Sequence, residues 1–194
     1  MTGNMMTGQA GAHALSERGH DLYETPEVAV RALLKVEALP PEIWEPSCGR
    51  GAISKVLQSA GHIVHSTDIE DYGFGVGGRD FFLETKAPPG FDCIVTNPPF
   101  KLASKYAAHA LTLVPRVALL LRLAFLEGVG RSPIMEGGAL ARVHVFKNRL
   151  PMMHRDGWPA DQRIKSGAVA FAWFVWDKSH SGDTALRRIS WEAA

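Results

Sequence analysis

Cysteine, net charge and long apolar runs are all scarce in this sequence, and each scarcity excludes a class of protein. The 194 residues include two cysteines, Cys48 and Cys93, which excludes a disulfide-stapled fold and favours a reducing, cytoplasmic location. The longest apolar run, Val117 to Leu126, is too short to cross a bilayer and contains Arg122. The first residues lack the charged and apolar regions of a signal peptide. We therefore expect no association with a membrane.

Length and charge indicate one globular domain without an overall basic footprint. The formal net charge is +1, so nucleic-acid binding would depend on a local patch of basic residues. Residues 1–19 are rich in Gly, Ala, Thr and Met without clear periodicity and predict a flexible N-terminal tail. We predict a single domain over residues 20–180 and a C-terminal tail over 181–194.

Alternating strand and helix patterns predict an α/β fold. A helix is expected after Pro26, and further helices over 52–60 and 101–114. Strands are expected to end near Trp44 and to cover 62–68, 91–95, 116–123, 142–146 and 168–176. This order predicts a mostly parallel central sheet with helices on both faces. Ligands of such sheets bind across the carboxyl ends of the strands.

The stretch from Phe91 to Phe100 carries the strongest chemical signal. Phe91 to Val95 has the composition of a buried strand, and Pro98 and Pro99 end it. The oxygen of Asn97 and a nearby backbone carbonyl can accept both N–H groups of an exocyclic amine, such as N6 of adenine. Phe100 can stack on the base. Asn-Pro alone more often marks a turn, so the neighbouring motifs decide its interpretation.

A glycine-rich turn and a later acid predict a nucleotide-like ligand. Glu45-Pro46-Ser47-Cys48-Gly49-Arg50-Gly51 follows the first predicted strand and precedes a helix. Gly49 and Gly51 permit a tight turn and a close approach of the backbone to a ligand. Asp68 follows the next strand, about 20 residues beyond the turn, where an acid binds ribose hydroxyls. Ile69 and Phe81 could pack on the ligand ring, and Asp80 could meet its edge.

The order of these motifs resembles that of the S-adenosylmethionine-dependent amino DNA methyltransferases. The resemblance is to the adenine-N6 class with the gamma motif order, and in particular to small members from phages and prophages. It covers about Tyr23 to Lys178 and includes Asn97-Pro98-Pro99-Phe100, the Phe-ending form of the catalytic tetrapeptide. It implies a Rossmann-like class I methyltransferase fold with an antiparallel final strand. It also implies S-adenosyl-L-methionine as cofactor, no metal, and methylation of adenine N6 in DNA.

The resemblance assigns roles to residues by their place in the motifs. Implied catalytic residues are Asn97, Pro98, Pro99 and Phe100. Implied cofactor-binding residues are Tyr23, Thr25, Pro26, Glu45, Pro46, Ser47, Gly49, Gly51, Asp68, Ile69, Asp80, Phe81 and Asn97. The residues before the first helix have a second interpretation, because Thr25 is also a plausible helix N-cap.

One departure from the family concerns how the substrate is read. The gap between Asp80 and Asn97 cannot hold a separate target-recognition domain, so short loops over Glu127–Leu140 and Arg149–Ser166 would have to contact DNA. Candidate substrate-binding residues are Phe100, Lys101, Arg122, Arg131, Arg149, His154, Arg155 and Trp158. An ordinary polar loop is the alternative for Arg149–Ser166. A homodimer could supply specificity that short loops lack.

Other functions remain open at this point. Enzymes that methylate RNA bases or protein glutamine carry similar Asn-Pro-Pro motifs, although the glutamine enzymes usually have Tyr after the prolines and an extra N-terminal domain. A non-catalytic protein that binds the cofactor or nucleic acid is a second alternative. A nicotinamide-dependent oxidoreductase fits less well, because the glycine pattern is incomplete and Asn97 to Phe100 would have no role.

Overall fold

The computed structural model describes residues 23–137, 139–151 and 169–191. The predicted N-terminal tail, residues 1–19, lies outside these described residues. The helices are α1 (Glu27–Leu34), α2 (Ala52–Ser59), α3 (Ala103–Leu113) and α4 (Ser132–Met135). The strands are β1 (Glu42–Glu45), β2 (Ile63–Ser66), β3 (Cys93–Thr96), β4 (Arg116–Arg122), β5 (Leu140–Phe146), β6 (Phe171–Asp177) and β7 (Ala185–Ile189). None of the described helices has the length and apolar character of a membrane span.

These strands form one sheet in the order β2-β1-β3-β4-β6-β5-β7. β6 is antiparallel to both of its neighbours, β4 and β5, whereas the other pairs are parallel. The predicted α/β fold with a mostly parallel sheet is therefore confirmed. The antiparallel strand is the one that the apolar segment ending at Trp176 predicted, but it is not the last strand of the chain.

The C-terminal segment corrects the predicted domain boundary. Residues 181–194 were expected to be a tail, yet Ala185–Ile189 form β7 and pair in parallel with β5 from Arg142 to Phe146. Leu186, Arg187 and Arg188 are exposed, and only Ile189 of this strand is buried. An edge strand with so little buried surface lacks the alternation of apolar and polar residues by which strands are recognised in a sequence.

Helices cover both faces of the sheet, as the sequence predicted. α1 and α2 pack on one face, where Leu33 and Leu57 meet Leu120 and Trp173. On the other face, α3 places Tyr106 and Ala110 against Leu119 and Phe174. Burial on both faces explains why β4 reads as an unbroken apolar run in the sequence.

The buried carboxylate of Glu37 connects several elements at the amino ends of β4 and β5, on the side of the sheet away from the predicted site. Glu37, just after α1, accepts hydrogen bonds from Arg116 Nη2 at 2.7 Å and Arg142 Nη2 at 3.0 Å, and its Oε1 lies 2.7 Å from His144 Nε2. Burial by itself would raise the pKa of Glu37. The hydrogen bonds and charges of His144 and Arg142 outweigh burial and lower that pKa to about 2. This cluster joins α1 to β4 and β5.

Candidate active site

The predicted site residues lie at the carboxyl ends of β1, β2 and β3. β1 lies between β2 and β3, so the chain crosses to opposite sides of β1 in forming these neighbours. Such a switch point leaves a crevice at the carboxyl ends of the strands, where α/β proteins bind ligands. The segments that follow these three strands are Glu45–Gly51, Asp68 and Asn97–Phe100. The fold therefore brings together motifs that are spread from residue 45 to residue 100 of the chain.

The loop after β1 is pinned to the end of β2. Gly49 N donates to Asp68 Oδ2 at 2.8 Å, and Cys48 N donates to the Thr67 carbonyl at 3.0 Å. The other carboxylate oxygen of Asp68 accepts from Glu70 N at 3.0 Å. Asp68 is thus held rigidly at the crevice, where the sequence placed it. Ile69 beside it is 51% exposed and offers an apolar surface at the rim.

Gly51 has a different neighbour from the one that the motif suggested. Its φ is +81°, and a Cβ at this position would lie 2.5 Å from the Phe74 ring. Glycine at this position therefore allows the close approach of Phe74, from the loop after β2. The Phe74 backbone carbonyl also lies 3.6 Å from Cys48 Sγ. Sequence reasoning missed Phe74 because it stands in a glycine-rich loop without periodicity.

Glu45 lies beneath the loop. It is 1% exposed, and its Oε2 accepts from the backbone N–H of Ser54 at 2.9 Å and from the Ser54 hydroxyl. Burial raises the pKa of Glu45 to about 8, although the two hydrogen bonds from Ser54 oppose the shift. The side chain supports the first turn of α2, so the geometry gives Glu45 a positioning role under the candidate cofactor loop.

Ser47 and Phe81 are tied to α3. Ser47 Oγ lies 2.8 Å from the Tyr106 hydroxyl, which joins the loop after β1 to α3. Phe81 is 5% exposed and stacks on Tyr106 with 4.2 Å between ring centroids. The structure therefore places Phe81 in the core, not on the ligand side as expected. Asp80 accepts from Phe82 N at 2.9 Å and begins a short 3₁₀ helix. Because Phe81 and Phe82 are adjacent in the sequence, the sequence does not show which of the two rings is buried.

Asn97 contacts the N-terminal motif. Its Nδ2 donates to Thr25 Oγ1 at 3.1 Å and approaches the Tyr23 carbonyl at 3.4 Å. The prediction that Thr25 caps α1 is wrong, because Pro26 is the N-cap residue and no side chain caps the helix. The Thr25 hydroxyl serves Asn97 instead. Pro26 and Pro98 flank this contact in sequence, and Pro98 is buried.

Phe100 lies within an aromatic and cationic cluster. Its ring centroid is 5.7 Å from that of Tyr23 and 5.6 Å from that of Phe171, and the Arg122 guanidinium lies 4.9 Å from it. Arg122 and Phe171 are cross-strand partners at the ends of β4 and β6. Phe171 was not among the predicted site residues, because its apolar strand gave only a core signal. Pro99 precedes the short 3₁₀ helix that carries Phe100.

The basic residues that were predicted to bind substrate differ in their exposure and in their contacts. Lys101 and Arg149 are exposed, whereas Arg131 holds the loop after β4. Arg131 donates to Ser104 Oγ at 3.1 Å and to the Glu127 carbonyl, and it stacks 4.6 Å from the Phe125 ring. These contacts give Arg131 a structural role in its loop, and the expected substrate contact stays a prediction. His154, Arg155 and Trp158 lie outside the described residues.

The described ends of the connection from β5 to β6 lie at the candidate site. β5 runs parallel to β4, so Phe146 ends at the carboxyl edge of the sheet. Phe171, where β6 begins, pairs with Arg122 at that same edge. Phe171, the first residue of β6, therefore lies beside Phe100.

Comparison with solved structures relates the chain to methyltransferase folds. A protein from Pyrococcus horikoshii, described provisionally as an RNA methyltransferase, matches with a TM-score of 0.59 and 14% identity over 82% of this chain and 87% of that chain. The modification subunit of a provisional type I restriction enzyme from Vibrio vulnificus matches with a TM-score of 0.55 and 16% identity over 84% and 45%. A dimethyladenosine transferase from Plasmodium falciparum has a TM-score of 0.51 and 16% identity over 80% and 62%.

No protein family model and no curated protein matches the chain. At these low identities, the structural similarity establishes the fold, which is that of the Rossmann-like methyltransferases.

Proposed function

We propose that this protein is an S-adenosylmethionine-dependent methyltransferase that modifies the exocyclic N6 amine of adenine in DNA. One observation carries the proposal: Asn97 and Phe100 stand together at the carboxyl end of β3, next to the crevice formed by the Gly49 loop and Asp68. The carboxamide suits an amine, the ring suits a base, and the crevice suits a nucleoside. The methyltransferase fold of the structural neighbours supports the same class of reaction.

The groups that line the crevice can make the hydrogen bonds and apolar contacts that the cofactor requires. Asp68 carries two carboxylate oxygens, each with capacity beyond its single backbone hydrogen bond, and can therefore accept from ribose hydroxyls. The exposed side chain of Ile69 can cover an adenine face. The Gly49 loop and Tyr23 would complete the walls. S-adenosyl-L-methionine would supply the electrophilic methyl group at this place.

The chain's own groups would orient the target amine. The Asn97 side-chain oxygen and the Pro98 carbonyl accept its two N–H bonds, which favours a tetrahedral nitrogen with an available lone pair. Phe100 stacks on the extruded base and holds it in line. Catalysis of this kind rests on position and electrostatics and needs no strong base before attack.

Methylation of adenine in RNA is a second candidate. It is favoured by the printed descriptions of structural neighbours, which include an RNA methyltransferase and a dimethyladenosine transferase. The described site recognises a planar base with an exocyclic amine, and both polymers carry one. The choice of DNA rests on the motif order in the sequence. Protein glutamine is a weaker alternative, because the glutamine enzymes usually have Tyr where this chain has Phe100. A non-catalytic binding role is also weaker, because all the expected motif residues are present.

Mass spectrometry of nucleosides tests the proposal. The intact protein and Asn97→Ala would each be expressed in cells that lack adenine methylation, and DNA and RNA would be digested separately. We expect N6-methyladenine in DNA only with the intact protein, while both proteins bind S-adenosyl-L-methionine in calorimetry. The methyl mark in RNA alone would replace the proposal by the second candidate. Loss of cofactor binding in Asn97→Ala would contradict the assigned role of Asn97.

A further inference from the structure

We propose that Thr25 is a positioning residue that sets the orientation of the Asn97 carboxamide for methyl transfer. This role differs from the cofactor contact and the helix cap that the sequence suggested for Thr25. It rests on the proposed function for its kinetic consequence. The geometric part, a hydrogen bond that fixes which side of the amide carries the NH₂ group and which the oxygen, stands on the contacts alone.

The Tyr23 carbonyl decides the orientation of the amide. A backbone carbonyl only accepts hydrogen bonds, so the atom of Asn97 that lies 3.4 Å from it must be the NH₂ group. The same nitrogen donates to Thr25 Oγ1 at 3.1 Å. Both N–H bonds of the carboxamide are thereby directed towards the N-terminal motif. The side-chain oxygen therefore lies on the other side of the amide, away from the Thr25 hydroxyl and the Tyr23 carbonyl, where it is buried.

Within residues 23–137, 139–151 and 169–191, the Thr25 hydroxyl makes no hydrogen bond other than the one with Asn97, so it is available for this task. A threonine before a proline normally suggests a helix cap, but α1 has no side-chain cap. Thr25 is 6% exposed, so its hydroxyl is also shielded from competing water. A shielded hydrogen bond between groups held on different segments restricts rotation of the amide more than a solvated one would. Of the two described contacts of the Asn97 NH₂ group, the one with Thr25, at 3.1 Å, is shorter than the one with Tyr23, at 3.4 Å.

Two substitutions separate the hydroxyl from the shape of the side chain. Thr25→Val keeps the branched shape and removes the acceptor, whereas Thr25→Ser keeps the acceptor. Thr112→Val is a matched control, because Thr112 is exposed on α3 and its hydroxyl bonds only the His109 carbonyl among the described residues. We expect Thr25→Val to lower kcat about tenfold, the rate equivalent of one lost hydrogen bond, with the dissociation constant of S-adenosyl-L-methionine within about twofold. Thr25→Ser should restore most of kcat.

Nuclear magnetic resonance tests the contact without any turnover. The side-chain NH₂ signals of Asn97 would be identified by their loss in Asn97→Ala, and their exchange with water measured in each Thr25 variant. We expect faster exchange in Thr25→Val and near-native exchange in Thr25→Ser. Unchanged exchange in Thr25→Val would overturn the proposal, and so would unchanged kcat or a loss confined to cofactor affinity. If the intact protein methylates no substrate, the proposed function fails, and the exchange measurement alone then decides the role of Thr25 in orienting Asn97.

Discussion

The guanidinium of Arg122 lies 4.9 Å from the centre of the Phe100 ring. Arg122 ends β4 and Phe100 follows β3, so two parallel neighbours in the sheet bring a cation and an aromatic face together at their carboxyl ends. In the described parts of the chain, no carboxylate pairs with Arg122. Under the proposed function, this charge would lie where the base and its phosphates bind.

Arg122 should contribute both charge and stacking to nucleic-acid binding. Arg122→Gln should weaken binding and reduce the slope of log affinity against log salt by about 1, because one phosphate contact is lost. Arg122→Lys should keep the slope but weaken binding, since lysine lacks the planar guanidinium that stacks on Phe100. Fluorescence anisotropy with labelled DNA and RNA at several salt concentrations measures both effects.

Arg188→Gln is the matched control for Arg122, because Arg188 is exposed on the edge strand β7. For Arg188→Gln, the slope of log affinity against log salt should equal that of the intact protein. An unchanged slope in Arg122→Gln would show that Arg122 does not meet a phosphate, and it would restrict its role to packing against Phe100.

Glu37 should make the fold sensitive to acid. Its folded-state pKa of about 2 lies below the ordinary value of 4.5, so its ionised form stabilises the fold. This contribution, about 3 kcal/mol from the size of the shift, is fully present above pH ~4.5 and is lost as pH falls towards 2. Chemical denaturation of the intact protein and of Glu37→Gln across this pH window measures it.

The Glu37→Gln variant should be strongly destabilised at pH 7, because Arg116 and Arg142 lose a buried anion. The difference in unfolding free energy between the two proteins should narrow below pH ~4.5. A difference that stays constant down to the acid limit would mean that Glu37 is not ionised in the folded protein.

Gly51 should tolerate alanine less well than another glycine with a similar backbone. Gly51→Ala adds a Cβ that meets the Phe74 ring, in addition to the strain of a φ of +81°. Gly61→Ala has a φ of +95° and open space around the new Cβ, so it carries only the strain, about 1–2 kcal/mol. In thermal or denaturant unfolding, Gly51→Ala should therefore be less stable than Gly61→Ala.

Phe74→Ala provides the double-mutant test of this packing. Combined with Gly51→Ala, it removes the clash, so the double variant should lose less stability than the two single changes added together. Strict additivity would indicate that Phe74 moves aside without cost. It would also leave Gly51 with a purely conformational role.

Sequence patterns were sufficient for the features that depend on neighbours along the chain. The alternation of strands and helices predicted the α/β fold, and the residues after β1, β2 and β3 were placed at one edge because parallel strands share a direction. Asp68 and Asn97 were therefore expected just after two parallel strands, and they follow β2 and β3 in the structure. The same reasoning failed for β7, whose mostly exposed residues carry little periodic signal.

Tertiary packing alone decided which way the side chains face and which distant groups meet. Sequence could not tell that Phe81 turns into the core, that Arg131 binds its own loop, or that Phe171 joins Phe100, since each choice depends on the competing surfaces nearby. The hydroxyl of Thr25 meets Asn97 across 72 positions of sequence, and no local rule links them. Composition and periodicity determine which elements form, because those preferences act over a few residues. The contacts that give the site its chemistry arise only when the sheet brings its strand ends together.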